Sequence, residues 1–378
     1  MEITGVAACQ IGGMTLHSFA GIGSGSAALQ QCYQLAERVS IAGQWRKCTH
    51  LIIDEISMVS AEYFEKLDKV ARYVRSKNQP FGGIQLIVSG DFLQLPPVTN
   101  GYDKPKFCFQ SISWKNSIEK TIVLEDVRRQ NDPYFVKILQ EIRLGRCNVE
   151  YMKTLDSTIT NVVDKEGVLA TRLCTHKKDA ELINTSRLEK LSGELITFKA
   201  TDTEDLPMGA GESICPRLIK LKIGAQVMLT KNLDLMLNLS NGSRGVVTKF
   251  RAGLPEVKFV SGHTELIKRS KFHIKVGSGQ VIRQQIPLQL AWAISIHKSQ
   301  GMSLDSVEMS LSKAFADGQA YVALSRARSL EGLRILDFDR SCIRANPEVL
   351  DFYRNLQSET DESDNRPWKR QKLLDQFR

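Results

Sequence analysis

Leu51-Ile52-Ile53-Asp54-Glu55, running on into Ile56-Ser57-Met58, is the stretch from which the rest of the chain can be read. A short run of branched apolar residues that ends abruptly in two carboxylates spells a parallel strand, buried on both faces, that carries acids out at its C-terminal end. Ligands of open α/β sheets sit at that edge. In a nucleotide hydrolase the Asp of such a pair holds Mg2+, directly or through water, and the adjacent Glu orients or polarises the attacking water. A strand whose Asp merely caps the next helix would use the same five residues, and alone they do not choose.

A second stretch breaks the tie. Residues 84–88 are another apolar strand, ending in the polar turn Ser89-Gly90-Asp91-Phe92-Leu93-Gln94-Leu95-Pro96-Pro97. Between the two strands, residues 62–75 place Tyr63, Phe64, Leu67, Val70, Ala71 and Val74 at helical spacing. The unit is strand, helix, strand with a right-handed crossover, half of a mononucleotide-binding domain. Gln94, just past the second strand tip, is placed to hydrogen-bond a γ-phosphate; an ordinary turn amide would be spelled the same way.

Composition bounds the answer. With 378 residues, 42% of them hydrophobic, the chain can build two ordinary domains, with or without a small insertion. No apolar run approaches the roughly 18 residues of a membrane span, so no membrane partner is expected. Lys and Arg exceed the acids 51 to 42, a net charge of +9 that leans mildly toward a polyanionic partner. The eight cysteines stand singly, none paired at metal-ligand spacing, and read as reduced core residues of an intracellular protein.

The first 25 residues are rich in glycine and small side chains and lack the marks of a signal or transit peptide. Thr15, His17 and Ser18 offer hydroxyl and imidazole groups to phosphates, and Phe19 a ring to stack on a base. For His17 and Phe19 core packing is an equal alternative. Residues 27–39 suggest a helix. Residues 98–116, with Phe107, Phe109 and Trp114, form a loop-rich excursion that suits a surface wedge or a hydrophobic lid. Two arginines then precede a helix signalled by Asp132, Pro133 and a trailing Gly145. Arg129 is positioned to reach an interdomain cleft, and Arg128 suits a surface salt bridge.

A strand at 169–174 and the helix after it open a second α/β domain. Residues 206–285 read as a small β-barrel insertion, with Asn241-Gly242 as a turn. Helical patterning returns at 290–298, a strand follows at 307–311, and Tyr321, Leu324 and Arg328 share a helix face while Arg326 projects elsewhere. A buried arginine aimed across a cleft stabilises charge on a transferring phosphoryl group. From residue 357 the chain turns acidic and then basic, a disordered tail with a weak nuclear-localisation pattern.

In this order the pieces resemble the helicase motifs of superfamily one, specifically the petite-integration-frequency (PIF) DNA helicases, relatives of RecD and the phage helicase Dda. The most distinctive run is 68–98, with Arg72, Arg75, Pro80-Phe81-Gly82-Gly83 and Gly90-Asp91-Phe92-Leu93-Gln94-Leu95-Pro96-Pro97, similar to the family's signature block and motif III. The similarity extends over residues 4–338. It implies that Thr15, His17, Ser18 and Phe19 belong to a DNA-contacting motif Ia, and that Asp54 and Glu55 are the magnesium and water-activating pair. It further implies that Gln94 senses the γ-phosphate and that Arg129 and Arg326 reach it across the cleft. Residues 296–301 resemble motif V, with His297 and Lys298 toward DNA and Gln300 and Gly301 toward nucleotide.

The fold implied is α/β: two RecA-like P-loop NTPase domains, the first incomplete. The layout is 1–131 for the first domain, with 98–116 as a small wedge, 132–205 and 286–356 for the second, the barrel at 206–285 and a tail at 357–378. The implied activity is ATP-driven, Mg2+-dependent 5′-to-3′ translocation on single-stranded DNA and unwinding of duplex, in repair, recombination, telomere maintenance and replication. Forked and G-quadruplex DNA are the implied partners, a monomer the implied state, and nucleus and mitochondrion the implied locations.

One departure stands out. No Gly-x-x-x-x-Gly-Lys-Ser/Thr run, whose amides and lysine cradle phosphates, occurs anywhere in the 378 residues. The expectation is an N-terminally truncated form that does not hydrolyse ATP by itself. A non-catalytic single-stranded-DNA-binding or regulatory isoform is the alternative.

Overall fold

Two parallel sheets, each with its own helices, flank a cleft, and an antiparallel module grows out of the second. The computed structural model describes residues 14–98, 104–164, 167–205, 211–212, 215–234, 236–237, 239–276 and 279–364. The small-residue stretch before Met14, parts of the wedge and barrel segments, and the tail beyond Asp364 lie outside them.

Lobe 1 opens with α1 (Leu16–Ala20), α2 (Leu29–Ala36) and α3 (Val39–Lys47). The single helix expected over 27–39 is thus broken, because Arg38 takes extended dihedrals and starts a new helix. Strand β1 (His50–Ile53) pairs in parallel with β2 (Gln85–Val88), Ile53 opposite Val88. Helix α4 (Ala61–Arg75) connects them. It starts on Ser60, whose hydroxyl accepts from the Tyr63 N–H, and buries its apolar stripe from Tyr63 to Val74. β1 is not buried on both faces as its spelling suggested: Leu51 and Ile53 are inside, while Ile52 is 51% exposed.

The signature block is a joint. Asp68, only 3% exposed, accepts from Arg72 Nε at 2.9 Å and Nη2 at 3.0 Å, from the Phe81 N–H at 2.7 Å and from Ser113 Oγ at 2.9 Å. Arg75 donates to the carbonyls of Gly82, Trp45, Arg46 and Cys48. Gly82, at φ 60°, packs so close to α4 that a Cβ would lie 2.7 Å from the Ala71 carbonyl oxygen. These contacts tie α4, the 80–83 turn and α5 (Ile112–Ser117) together. The described aromatics of the 98–116 excursion are likewise core: Phe107, Phe109 and Trp114 are buried in lobe 1 instead of projecting as a wedge or lid.

Lobe 2 begins with α6 (Pro133–Arg143), capped by Asp132 as expected, and α7 (Val149–Ser157). Strand β3 (Thr171–Cys174) and α8 (Lys177–Lys190) follow. The chain then leaves for the antiparallel module: β4 (Ile196–Lys199), β5 (Thr201–Asp202), β6 (Leu218–Leu221), β7 (Gln226–Leu229), β8 (Arg244–Arg251), β9 (Leu254–Phe259), β10 (Thr264–Leu266), β11 (Ser270–Val276), β12 (Gly279–Gln285) and β13 (Leu288–Leu290). These strands form three small sheets, with orders β10-β9-β8-β7-β13, β11-β12-β5 and β4-β6. Their pairing runs from 196 to 290, past both ends of the segment expected at 206–285, because β4, β5 and β13 find their partners inside it. Asn241-Gly242 turns as expected, the Ser243 N–H donating to the Ser240 carbonyl at 2.9 Å, and a tight hairpin turn lies at Ala252-Gly253, both at positive φ between β8 and β9, where the type I′ twist is needed.

Back in lobe 2, β14 (Ala293–Ser295), α9 (Ile296–Ser299), β15 (Val307–Ser310), α10 (Gln319–Leu324) and β16 (Leu333–Asp337) complete a parallel sheet of order β14-β3-β15-β16. The helix expected over 290–298 forms only from Ile296 on; Ala293–Ser295 is strand, since pairing with β3 overrides the helical spacing of so short a run. The last helix, α11 (Pro347–Asp364), corrects two boundaries. It continues past 357, where a tail was expected. It also docks on lobe 1, not lobe 2: Val349 sits in the lobe 1 core and the Phe352 ring stacks on Phe109 at 4.3 Å.

Candidate functional site

The Asp54-Glu55 turn follows β1 directly, at the C-terminal edge of the sheet. Glu55 is held at φ 52°, ψ 45°, a left-handed conformation that a glutamate adopts only when its surroundings impose it. The imposition is visible. The Ser89 N–H donates to the Ile53 carbonyl at 2.9 Å, the Ile56 N–H donates to the Ser89 carbonyl at 3.0 Å, and Gly90 lies against Ile56 where a Cβ would be 2.9 Å from its nitrogen. The two strand tips are thereby knitted into one polar edge. Asp54 Oδ1 accepts from the Glu55 N–H at 2.9 Å.

Lobe 2 meets this edge through α9. Gln300 donates from Nε2 to Glu55 Oε2 at 2.8 Å, while its own Oε1 is buried without a partner. Arg129 lies close behind, its Nε donating to Ser303 Oγ at 2.9 Å and Nη1 to the Ser325 carbonyl at 3.4 Å. Gln130 fixes this segment by donating to the carbonyls of Ser325 and Ala327. Arg326 is 2% exposed and folded inward, donating to the carbonyls of Val322, Ser299 and Met302 and to Ser325 Oγ. It is therefore more deeply buried than Arg129. α10 stops at Leu324, so Arg326 and Arg328 follow the helix instead of sharing its faces; Arg328 is the exposed one, paired with Asp305.

The charges at this gap feel one another. Burial pushes the Glu55 carboxyl up, and the Gln300 hydrogen bond and Arg326 pull it back, against Asp54 and Asp91. Arg326 is pushed down to about 10, first by burial and then by Arg129 beside it. Burial also lowers Arg129, while Tyr321 and Glu55 raise it. Glu55, Arg129 and Arg326 thus share one electrostatic neighbourhood. Gln94 belongs to the same edge by its backbone: its N–H donates to the Asp91 carbonyl at 3.0 Å, and its carbonyl abuts Gly318 at the start of α10. Gly301, at φ 77° with open space beside it, follows α9. A cavity of about 320 Å3 opens next to Arg129, lined by Val127, Gln130, Leu139, Tyr321 and Ser325, all of lobe 2 or the segment leading into it.

The residues expected on DNA are less uniform. Thr15 caps α1, accepting from the Ser18 N–H at 3.2 Å and bonding Ser18 Oγ at 2.8 Å. Phe19 is 4% exposed and packs on Trp45, so the core alternative holds and its ring is not a stacking platform. His17 lies against Tyr63, and burial lowers its imidazole. His297 and Lys298 stand on α9 beside His176 and Lys177, and burial lowers both. Arg128 makes the surface pair expected of it, with Asp126. Ser303, Ser325 and Asp91 were not singled out by the sequence reading; Asp91 carried a signal, its place in the same turn as Gln94.

Two parallel-sheet lobes with acids at the edge of one, arginines behind the edge of the other and an antiparallel module appended to the second define a two-lobed RecA-like α/β protein with a 2B-type module. The family model described as PIF1-like helicase matches residues 2–153, and that described as DNA helicase Pif1, 2B domain, matches residues 212–250. The chain is 57% identical over 362 residues to the ATP-dependent DNA helicase PIF1 of Xenopus laevis, aligning 94% of this chain with 57% of that protein. The crystal structure of the Pif1 helicase from Candida albicans superposes with a TM-score of 0.77 at 36% identity, covering 94% of this chain and 88% of that one. The Pif1 helicase from Bacteroides in complex with ADP-AlF3 and ssDNA gives 0.68 at 31% identity, with 95% and 87% coverage. The chain belongs to the PIF1-like helicase family. It spans little more than half the length of the curated Xenopus relative.

Proposed function

We propose that these residues are the working lobes of an ATP-driven motor that moves 5′-to-3′ along single-stranded DNA and separates duplex strands at forks. The observation that carries the reading is the Glu55–Gln300 contact with Arg129 and Arg326 behind it: acids of one lobe and arginines of the other address a common gap. Glu55, whose carboxyl is raised by burial, is the base that orients the attacking water. Arg129 and Arg326 stabilise charge on the γ-phosphate, which requires Arg326 to exchange its backbone carbonyl partners for phosphate oxygens. Asp54 would hold Mg2+; one carboxylate with phosphate oxygens and waters is a donor set that ion accepts, and its chemistry is to neutralise charge on the β and γ oxygens. To orient the attacking water Glu55 leaves Gln300, and α9 passes that change to His297 and Lys298, the groups assigned to DNA together with Thr15, His17 and Ser18.

Folded G-quadruplexes are proposed as further substrates, a monomer as the working state, and nucleus and mitochondrion as the locations. The support for these is family membership alone. The test is phosphate release on single-stranded DNA, measured for this chain and for the same chain joined ahead of residue 1 to a Gly-x-x-x-x-Gly-Lys-Ser/Thr segment of the family. The joined protein is expected to hydrolyse ATP when DNA is added and to unwind 5′-tailed, not 3′-tailed, duplexes. This chain alone is expected to bind DNA in a salt-dependent way without turnover. Failure of the joined protein to turn over would overturn the motor reading in favour of a DNA-binding role. Equal turnover by both would overturn the need for the phosphate loop.

A further inference from the structure

The turn that carries Gln94 belongs to lobe 1 by chain and to lobe 2 by contact. At its start, Ser89 and Gly90 are knitted to the Asp54-Glu55 turn by the two backbone hydrogen bonds described above. At its end, Leu95 is 1% exposed and packs in the lobe 2 core. Between them, Gly318 approaches so closely that a Cβ there would lie 2.4 Å from the carbonyl oxygens of both Leu93 and Gln94. Asp91 stands at the centre. Its Oδ2 accepts from Arg143 Nε at 2.8 Å and its Oδ1 from Arg143 Nη2 at 2.7 Å, a two-pronged pair in which the side chains are 17% and 28% exposed. Oδ1 also accepts from the Leu93 N–H at 3.1 Å and from the Tyr353 hydroxyl at 3.1 Å. The Tyr353 oxygen in turn accepts from the Phe92 N–H at 3.2 Å, and the Arg143 guanidinium lies 5.0 Å from the Tyr353 ring centroid.

Resting on the motor reading, we propose that Asp91 is a positioning residue: through Arg143 of α6 it locks the Gln94 turn to lobe 2, with Tyr353 of α11 holding Asp91 from the lobe 1 side, so that Gln94 meets the γ-phosphate only when lobe 2 is seated. The physical argument is one of geometry. Arg143 is the last residue of α6 and carries any rotation of lobe 2 directly. Its planar fork transmits direction as well as attraction, because both hydrogen bonds must hold at once. Tyr353 comes from a helix that starts in lobe 2 sequence and packs on lobe 1, so it bridges the same joint from the other side. Burial pushes the Arg143 guanidinium down, and the Asp91 hydrogen bonds more than reverse it, so Arg143 stays charged.

The lock makes a kinetic prediction that a mere surface anchor does not. In the loop-joined protein, Arg143→Gln is expected to lower DNA-stimulated kcat about tenfold while KM for ATP stays within about twofold, because the interaction acts on the reacting arrangement and not on nucleotide affinity. Arg143→Lys, which keeps the charge and one hydrogen bond, should recover part of the loss. Tyr353→Phe, which removes two hydrogen bonds and keeps the ring, should move kcat in the same direction by less, and it serves as the test if Arg143→Gln does not fold. In this chain as it stands, amide hydrogen exchange at residues 89–95 should rise in each variant while β1 is unchanged. Faster exchange with unaltered kcat would reduce the triad to an anchor and overturn the proposal, as would variants unaltered in both. An unmutated joined protein without turnover would instead overturn the motor reading, and the proposal with it.

Discussion

Asp68, midway along α4, and Glu55, just past the end of β1, are both carboxylates of lobe 1, and their surroundings could hardly differ more. Asp68 receives four hydrogen bonds from Arg72, Phe81 and Ser113, so its burial is matched by partners the chain itself supplies. Glu55 receives its side-chain hydrogen bond from Gln300, across the cleft, and sits in a strained backbone conformation with its carboxyl raised by burial. Gln300 has a buried oxygen without a partner on the same contact. A polar group fully satisfied by its own chain holds a fold together, whereas one held in strain and under-partnered waits for something else. By this measure the signature block around Asp68, for all its distinctive spelling, is structural, and the Asp54-Glu55 edge is the site.

Replacing each carboxylate tests the contrast. Asp68→Ala leaves two of the Arg72 guanidinium nitrogens, the Phe81 N–H and the Ser113 hydroxyl without their acceptor, and should cost about 3–5 kcal/mol. A denaturant melt showing a loss below about 1 kcal/mol would break the comparison from the structural side.

Glu55→Gln should do the reverse, leaving the fold intact or slightly more stable while abolishing phosphate release by the loop-joined protein. The pH dependence sharpens this. Because the folded-state carboxyl of Glu55 is raised above its unfolded value, its contribution is fully favourable below the unfolded pKa and is lost as pH rises through the folded one. The Glu55→Gln gain in Tm should therefore be larger at pH 7 than at pH 4. A gain that is equal at both, or a net loss at pH 7, would show Glu55 to be as well satisfied as Asp68.

The smallest effect is expected at Arg128, next to Arg129 in sequence. Its pair with Asp126 is almost wholly solvent-exposed, with side chains at 87% and 81%, so Arg128→Ala should shift stability by no more than about 0.5 kcal/mol and leave turnover unaltered. Arg129→Ala, by contrast, should abolish turnover. Two adjacent arginines with equal kinetic effects would mean that burial behind the cleft is not what distinguishes them.

How much of this was legible beforehand depends on the range of the interaction. The helical stripe of α4, the cap at Asp132 and the acid-tipped strand β1 are local patterns, and each formed where its spacing said. Phe19 was ambiguous because a ring that stacks on a base and a ring that packs on Trp45 are the same residue, and only the neighbour decides. The first part of the helix expected over 290–298 became strand at Ala293–Ser295 because β3 was waiting beside it, and only Ile296–Ser299 stayed helical. The last helix was assigned to lobe 2 by chain order, yet Val349 and Phe352 found their apolar partners in lobe 1.

The sequence by itself determined the kind of sheet, the edge at which chemistry would sit and most of the residues that sit there, because hydrophobic period and the tips of buried strands are written within a few residues. Tertiary structure alone decided that Arg326 folds inward, that Gln300 reaches Glu55, and that Asp91 joins Arg143 and Tyr353 from helices 52 and 262 residues away. Hydrogen bonds are made between atoms close in space, and no spacing along the chain records which distant donor will arrive.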